Sequence, residues 1–323
     1  MHKAVRTIVI SLVAALLGGC SATRPCPSVS VQANQAVKQP PTASVRLNYL
    51  YLTLDAETFE AISESPFMRD QFCRFGESTA TVVRRQGWSA TYLLGENTCV
   101  ELLAPGGPEA NIEGNGGICF STVNTGDINV IYDNLRNRLG PDVRKGTRTF
   151  NTGEKNVPWF SYVSSHGGRE TPPLLTWVTE QDASFRDALG YRSSHRAITP
   201  GVEAAATAQG EAESDKRLLR DITGVTLVLT EAELNRLAAE LSAYGYTRGQ
   251  AGELTVFSGP EFEVRVAISD NPEYRIRSLR CSLTGELNVA SQIEFGGKAT
   301  LALTENAAAT WTFGAKPQQL ARN

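Results

Sequence analysis

The feature that most constrains the fold is a local pattern in which an alternating strand leads through a capping residue into a helix. In Leu47–Leu54 leucines alternate with other residues, which is typical of a half-buried strand. Asp55 follows as a candidate N-cap, and Phe59 and Ile62 share one face of the predicted helix. Three further strands are predicted to complete this unit: Ser78–Arg85, Ser89–Leu94 and Thr98–Leu103.

The same pattern recurs twice along the chain. Ile118–Val123 precedes a second helix, which Asn124 or Thr125 can cap. A third strand leads into a helix at which Thr230 and Glu233 form a capping box. The last part of the chain offers strands but no helix, at Tyr274–Leu283 and Ile293–Phe313.

These repeats predict an α+β fold built from tandem βαβββ units that form curved mixed sheets, with about three recognisable units and a degenerate fourth. Whether the units pair within one chain or between two stays open.

The predicted segments are a signal peptide (1–19), a lipidated cysteine with a disordered tether (20–45), paired units 1 and 2 (46–192), a linker (193–216), a third βαβ unit with the degenerate fourth (217–313) and a polar tail (314–323).

The composition is that of an ordinary globular protein. Of the 323 residues 41% are hydrophobic, which is adequate for a core. The formal net charge of −3 gives no general attraction for nucleic acid, and we predict no nucleic-acid partner. A basic cluster is interpreted as a solvated helix end and turn: Arg136, Arg138, Arg144, Lys145 and Arg148.

The N-terminus combines Lys3 and Arg6 with the short apolar run Thr7–Leu17, which is too short to span a membrane. Residues Leu17–Cys20 resemble a bacterial lipobox, which implies cleavage before Cys20 and lipidation of that cysteine, with palmitate among its acyl chains. Ser21 implies sorting to the outer membrane. We therefore expect a periplasm-facing, lipid-anchored envelope protein with the membrane as partner; the alternative is an ordinary secretory signal with a coincidental cysteine.

Three segments resemble an uncharacterised glyoxalase-like family over roughly residues 46–313: Leu47–Asp55, Gly95–Thr98 with Glu101, and Ala309–Phe313. The tandem βαβββ unit is similar to the vicinal oxygen chelate superfamily, which includes glyoxalases, extradiol dioxygenases and bleomycin-resistance proteins. The resemblance implies that two units pair around a cleft, with the site on the inward sheet face. It also implies, for metal-using members, a divalent ion held by His and Glu.

The chain departs from that ligand set. Tyr49 stands where a metal-using relative carries a first-strand His, while Glu101 stands where a carboxylate ligand is expected. Besides His2, the chain has two histidines, His166 and His195. His166 is interpreted as a loop residue whose hydrogen bonds are satisfied locally, with a role as acid or base as the alternative. His195 lies in the predicted linker. We predict no cofactor and no metal; a divalent ion at Glu101 is the alternative.

The candidate ligand-binding residues are Tyr49, Tyr51, Glu101 and Trp159. Glu101 lies among apolar strand residues, so its carboxyl group either faces solvent or sits in a pocket with a raised pKa. Tyr49 and Tyr51 share the strand face opposite the leucines, and their phenols either bind a small ligand or only pack. Trp159 and Tyr162 point to opposite faces of a strand, so at most one lines the cleft.

The cysteines left after lipidation of Cys20 form an odd set in an oxidising compartment, so at least one stays free or pairs between chains. Cys99 and Cys119 are expected to be buried thiols. The pairing remains open among Cys26, Cys73, Cys99, Cys119 and Cys281.

Three functions remain open at this point. The first is a lipid-anchored protein that binds a small molecule in a glyoxalase-like cleft without a classical metal site. The second is an enzyme of the lyase, isomerase or dioxygenase type that uses Glu101 as its candidate catalytic residue. The third is a structural or interaction lipoprotein whose cleft is filled by its own aromatic side chains.

Overall fold

The computed structural model describes residues 43–80, 88–106, 112–151, 155–166, 172–185, 217–285 and 290–314. The predicted signal peptide, Cys20, most of the tether, the linker, Cys26 and nearly all of the tail lie outside these ranges. The elements of the first half are β1 (Val45–Thr53), α1 (Ala56–Ser63), a π-helical turn (Met68–Phe72), β2 (Arg74–Ala80), β3 (Trp88–Leu94), β4 (Cys99–Leu103), β5 (Gly116–Thr122), α2 (Asp127–Leu139), β6 (Arg144–Asn151), β7 (Asn156–Ser164) and β8 (Leu174–Gln181).

The second half repeats this order, except that its last unit has no helix within the described residues. Its elements are β9 (Leu219–Leu229), α3 (Glu231–Ala243), β10 (Thr247–Ala251), β11 (Leu254–Ser258), β12 (Glu263–Ile268), β13 (Ile276–Leu283), β14 (Ser291–Phe295), β15 (Ala299–Thr304) and β16 (Ala308–Phe313). The prediction of three helix-bearing units and a degenerate fourth is therefore confirmed.

Each half forms one mixed sheet of eight strands. The strand order is β2-β3-β4-β1-β5-β8-β7-β6 in the first sheet and β10-β11-β12-β9-β13-β16-β15-β14 in the second. In the first three units the first strand pairs in parallel with the last, as β1 does with β4, whereas in the fourth unit β13 pairs antiparallel with β16. The two units of a half join through antiparallel first strands, as β1 and β5 do. The units therefore pair within one chain, and the predicted α+β class is confirmed.

The caps of α1 and α3 form as local chemistry predicts. The Asp55 carboxylate accepts a hydrogen bond from the Thr58 amide at 3.0 Å. Thr230 and Glu233 form the reciprocal capping box, with the Thr230 amide donating to the Glu233 carboxylate at 2.8 Å. Both caps lie within one turn of the residues that they satisfy, so the sequence pattern sufficed to identify them.

The predicted cap of α2 is wrong. Its N-cap is Gly126, whose φ of 92° suits glycine, and neither Asn124 nor Thr125 caps the helix. The carboxylate of Glu180, from the end of β8, accepts from the amides of Gly126 at 2.9 Å and Ile128 at 3.1 Å. A residue about fifty positions later thus supplies the negative charge that a helix N-terminus favours.

Both sheets contribute to one buried core on the side where the helices lie. Leu50 of β1 and Leu227 of β9 belong to the same cluster of buried residues. The ring of Phe120 packs against that of Tyr244, with centroids 5.4 Å apart, and α2 packs on α3. Because alternate strand residues point to opposite faces, Tyr49 and Tyr51 lie on the face away from this core.

The two halves also meet through polar contacts at the β3–β4 turn. The Asp221 carboxylate accepts from the amide of Asn97 at 2.8 Å, from its side-chain nitrogen at 3.0 Å and from the Thr98 hydroxyl at 3.1 Å. Gly95 lies so close to Arg220 that a Cβ atom there would approach its carbonyl oxygen to 2.4 Å. The turn therefore acts as a docking element as well as a hairpin.

Among the helices described, none is long and apolar enough to cross a membrane.

Candidate functional site

The first sheet brings three of the predicted site residues together. In the parallel pair β1 and β4, Tyr51 lies opposite Glu101 and Tyr49 lies opposite Cys99. All four side chains share the sheet face that points away from the helices, because their neighbours Leu50, Leu52, Val100 and Leu102 belong to the main core. The shared face follows from the alternation visible in the sequence, whereas the pairing of these strands required the tertiary structure.

Glu101 is buried, with 9% of its surface exposed. The hydroxyl of Tyr92, on the neighbouring strand β3, donates a hydrogen bond to its Oε1 at 2.8 Å. Burial raises the pKa of the Glu101 carboxyl group to about 7, and the hydrogen bond from Tyr92 opposes that rise. Near neutral pH the group therefore exchanges between an acceptor-only carboxylate and a carboxylic acid that can donate.

Aromatic rings form the neighbouring part of this face. The Trp177 ring, from β8, contacts Tyr49 edge-on at a centroid distance of 5.5 Å and Tyr51 at 6.0 Å. Gly117 of β5 makes this arrangement possible, because a Cβ atom there would come within 2.2 Å of the Tyr51 ring and 2.9 Å of the Trp177 ring. Tyr49, Tyr51 and Trp177 are all partly exposed.

Two thiols flank Tyr49 on the adjacent strands, Cys99 on β4 and Cys119 on β5. Both are free and buried, as are Cys73 and Cys281. Burial raises the pKa of the Cys99 and Cys119 thiols, so they remain protonated at neutral pH. They contribute packing here rather than nucleophiles.

Trp159 lies apart from these residues. Its ring stacks on Phe185 at a centroid distance of 5.7 Å and contacts Phe150 and Phe160. The Tyr162 ring lies beneath the guanidinium of Arg148, 5.5 Å from its centroid. Neither residue has a ring contact with the Tyr49–Trp177 group among the described residues.

His166 follows β7, and its Nε2 atom lies 3.6 Å from Oε1 of Glu240, on α3. Burial and the charge of Arg236 lower the pKa of His166 to about 4, so the imidazole is neutral at neutral pH. Sequence reasoning missed Glu240, because a glutamate inside an amphipathic helix ordinarily faces solvent. It also missed Tyr92 and Trp177, whose strands carry no distinctive motif and whose roles depend on strand pairing.

Among the residues that the structure describes, no group of three or more His, Cys, Asp or Glu side chains is placed to hold a metal ion. The carboxylate of Glu101 accepts a hydrogen bond from Tyr92. A metal site at Glu101 would need further side chains that can act as ligands beside it.

The chain matches a protein-family model over residues 47–313, that of a family of unknown function, DUF5829. A comparison with curated proteins found no match. A hypothetical protein from Staphylococcus aureus is similar in structure at 9% identity and a TM-score of 0.44, over 77% of this chain and 95% of that one.

Two further solved structures are similar. One is a fusion of a xylose isomerase-like TIM barrel with a 4-hydroxyphenylpyruvate dioxygenase, at 13% identity and a TM-score of 0.41 over 72% of this chain, which spans 33% of the fusion protein. The other is a mutant of 4-hydroxymandelate synthase from Streptomyces coelicolor, at 16% identity and a TM-score of 0.38 over 71% of this chain and 64% of that one.

Proposed function

The chain belongs to the family of unknown function DUF5829, so its function has to be inferred from the site itself. We propose that it is a lipid-anchored protein of the bacterial envelope that binds a small molecule on the face of the first sheet that points away from the helices. The site residues in this proposal are Tyr49, Tyr51, Glu101, Tyr92 and Trp177. Trp159 is left out because its ring packs elsewhere. No metal takes part in the binding.

The buried carboxyl group of Glu101 is the observation that carries this proposal. A carboxyl group costs free energy to bury, and here one is held by a single tyrosine hydroxyl beside partly exposed aromatic rings. A ligand with an aromatic ring can pack against Tyr51 and Trp177 while an amine or hydroxyl group donates to Glu101. The ligand class is therefore a small aromatic amine or alcohol.

The architecture supports placing the chain in the vicinal oxygen chelate superfamily as a divergent member. The resemblance implies that units pair, and in this chain each pair of units forms one eight-stranded sheet, joined through the first strands. By the same resemblance, Tyr49 stands where a metal-using relative carries a first-strand histidine. This substitution favours ligand binding over the metal chemistry of such relatives.

An enzyme that uses Glu101 as a base or as a metal ligand is the second candidate, and the pKa of about 7 favours the role of base, because a general base works best with a pKa near the operating pH. Elemental analysis of the purified protein tests the metal-dependent form of this candidate. The binding proposal expects no stoichiometric metal. One divalent ion per chain, lost in Glu101→Gln, would overturn it in favour of the enzyme.

Ligand binding is tested with three probes of similar size and different charge: benzylamine, benzyl alcohol and benzoate. Isothermal titration is expected to show benzylamine binding that strengthens as the pH rises through about 7, where Glu101 ionises, and benzoate binding that does not. Glu101→Gln is expected to remove this pH dependence, and Glu253→Gln, at an exposed carboxylate, to retain it. Equal binding of all three probes by both variants would refute the role of Glu101.

The anchor is tested separately by labelling cells with palmitate. Label and membrane association are expected in the wild type and in Cys26→Ala, and loss of both in Cys20→Ala. Equal label in Cys20→Ala would refute lipidation at that residue.

A further inference from the structure

A cavity lies where the two halves meet, between His166, the start of β8 and helix α3. Its volume is about 250 Å³. Its apolar walls are formed by Pro172, Pro173 and Leu174 on one side and by Ala232 and Leu237 of α3 on the other. Its polar part is lined by His166, Thr176, Glu233, Arg236 and Glu240.

This cavity is separate from the Glu101 site. Thr176 lines the cavity, whereas Trp177, the next residue of β8, contacts Tyr49 and Tyr51. Successive strand residues point to opposite faces, so the two places lie on opposite faces of the first sheet. A substitution at one can leave the other intact.

The charged groups of the cavity compensate each other. Glu240 is 1% exposed, and its carboxylate accepts hydrogen bonds from Ser165, Thr176 and, at 3.4 Å, the Arg236 Nε atom. The Arg236 guanidinium also donates to the Ser165 carbonyl. Glu233, a second carboxylate in the lining, accepts from the Arg275 Nε atom at 3.1 Å. Each carboxylate of the cavity is thus held by an arginine, and the cavity favours an uncharged ligand.

His166 supplies a hydrogen-bonding group at this polar end. Its side chain is partly buried, and its Nε2 atom lies 3.6 Å from Oε1 of Glu240. A neutral imidazole has one donor and one acceptor nitrogen. When the proton stays on the nitrogen beside the carboxylate, the other nitrogen is an acceptor that suits a hydroxyl donor.

The size and walls of the cavity limit the ligand further. A volume of about 250 Å³ corresponds to roughly eight waters at about 30 Å³ each, enough for a ring compound of about eight heavy atoms. Leucine side chains and proline rings on the two walls offer apolar surface to a flat ring. We infer that this cavity is a second binding site, for a small uncharged ring compound that carries a hydroxyl group.

The probe that tests this inference is 4-fluorophenol, followed by fluorine NMR on the purified protein. Saturable binding is expected, with a dissociation constant on the order of 1 mM for so small a ligand. Ala232→Phe places a ring at a lining position that is exposed, so the fold is expected to persist while binding weakens at least about tenfold. Asn235→Phe adds the same ring at an exposed position of α3 outside the lining and is expected to bind as the wild type does.

Two comparisons identify the chemistry and the site. 4-Fluorotoluene, which lacks the hydroxyl group, is expected to bind about tenfold more weakly, and 4-fluorobenzoate not to compete. Aromatic alcohols are also candidate ligands of the Glu101 site, so the comparison is repeated in Glu101→Gln, where that site has lost its carboxylate. 4-Fluorophenol binding that persists in Glu101→Gln and weakens about tenfold when Ala232→Phe is added belongs to this cavity, whereas failure of the Glu101 proposal shows in the benzylamine titration. No saturable binding in Glu101→Gln, or equal binding with and without Ala232→Phe, would overturn the inference.

Discussion

The burial of Glu101 predicts a specific dependence of stability on pH. Its carboxyl group has a pKa of about 7 in the folded protein against an ordinary value of 4.5. At about 1.4 kcal/mol per pKa unit, this difference is worth about 3 kcal/mol. Between the two pKa values the folded state binds more protons than the unfolded state, so the free energy of unfolding falls as the pH rises. The stability is fully present below about pH 4.5 and the loss is complete above about pH 7.

Glu101→Gln mimics the protonated carboxyl group and is expected to remove this pH dependence of the free energy of unfolding. Urea unfolding of both proteins between about pH 5 and about pH 8 should show the wild type losing about 2–3 kcal/mol relative to the variant. In Tyr92→Phe the hydrogen bond that lowers the pKa of Glu101 is absent, so the loss of stability is expected to extend to higher pH. A difference between wild type and Glu101→Gln that does not change with pH would refute the assignment of a buried, neutralised carboxyl group.

Three further substitutions test how the fold is held together, each by urea unfolding. Gly117→Ala places a Cβ atom 2.2 Å from the Tyr51 ring and is expected to lower the free energy of unfolding by about 1–3 kcal/mol. The control Gly249→Ala meets open space and should change the free energy of unfolding by less than about 0.5 kcal/mol. Equal effects of the two substitutions would contradict the packing around Gly117. Glu180→Gln weakens the charged cap of α2 and is expected to cost about 1–2 kcal/mol, so an unchanged stability would show that the helix needs no such cap. Asp221→Ala removes three hydrogen bonds between the halves and is expected to cost about 2–3 kcal/mol; a cost below about 0.5 kcal/mol would show that the halves dock without them.

The fold was largely predictable because its signals are local. Alternating leucines before Asp55 and before Thr230 identified two strand–helix junctions, and the cap geometry at both confirmed them. The edge strand β10 was missed, since its sequence Thr247–Ala251 has no apolar alternation and all five residues are exposed. The cap of α2 was assigned wrongly, because Glu180 is remote in sequence and only the folding of β8 beside α2 brings it there.

The candidate site was predictable in part. Alternation placed Tyr49 and Tyr51 on one strand face, and the apolar neighbours of Glu101 left two environments open for its carboxyl group. The structure decided between them, because the Tyr92 hydrogen bond and the burial of Glu101 arise from the pairing of β3, β4 and β1.

By itself the sequence determined the repeated unit, the caps of α1 and α3 and the faces of the strands, because these depend on residues within a few positions of one another. Only the tertiary structure decided the strand order, the burial of Glu101 and the meeting of His166 with Glu240 across the two halves. Burial and charge pairing depend on which surfaces come together, and residues that are 74 positions apart, as His166 and Glu240 are, carry no local signal of their contact.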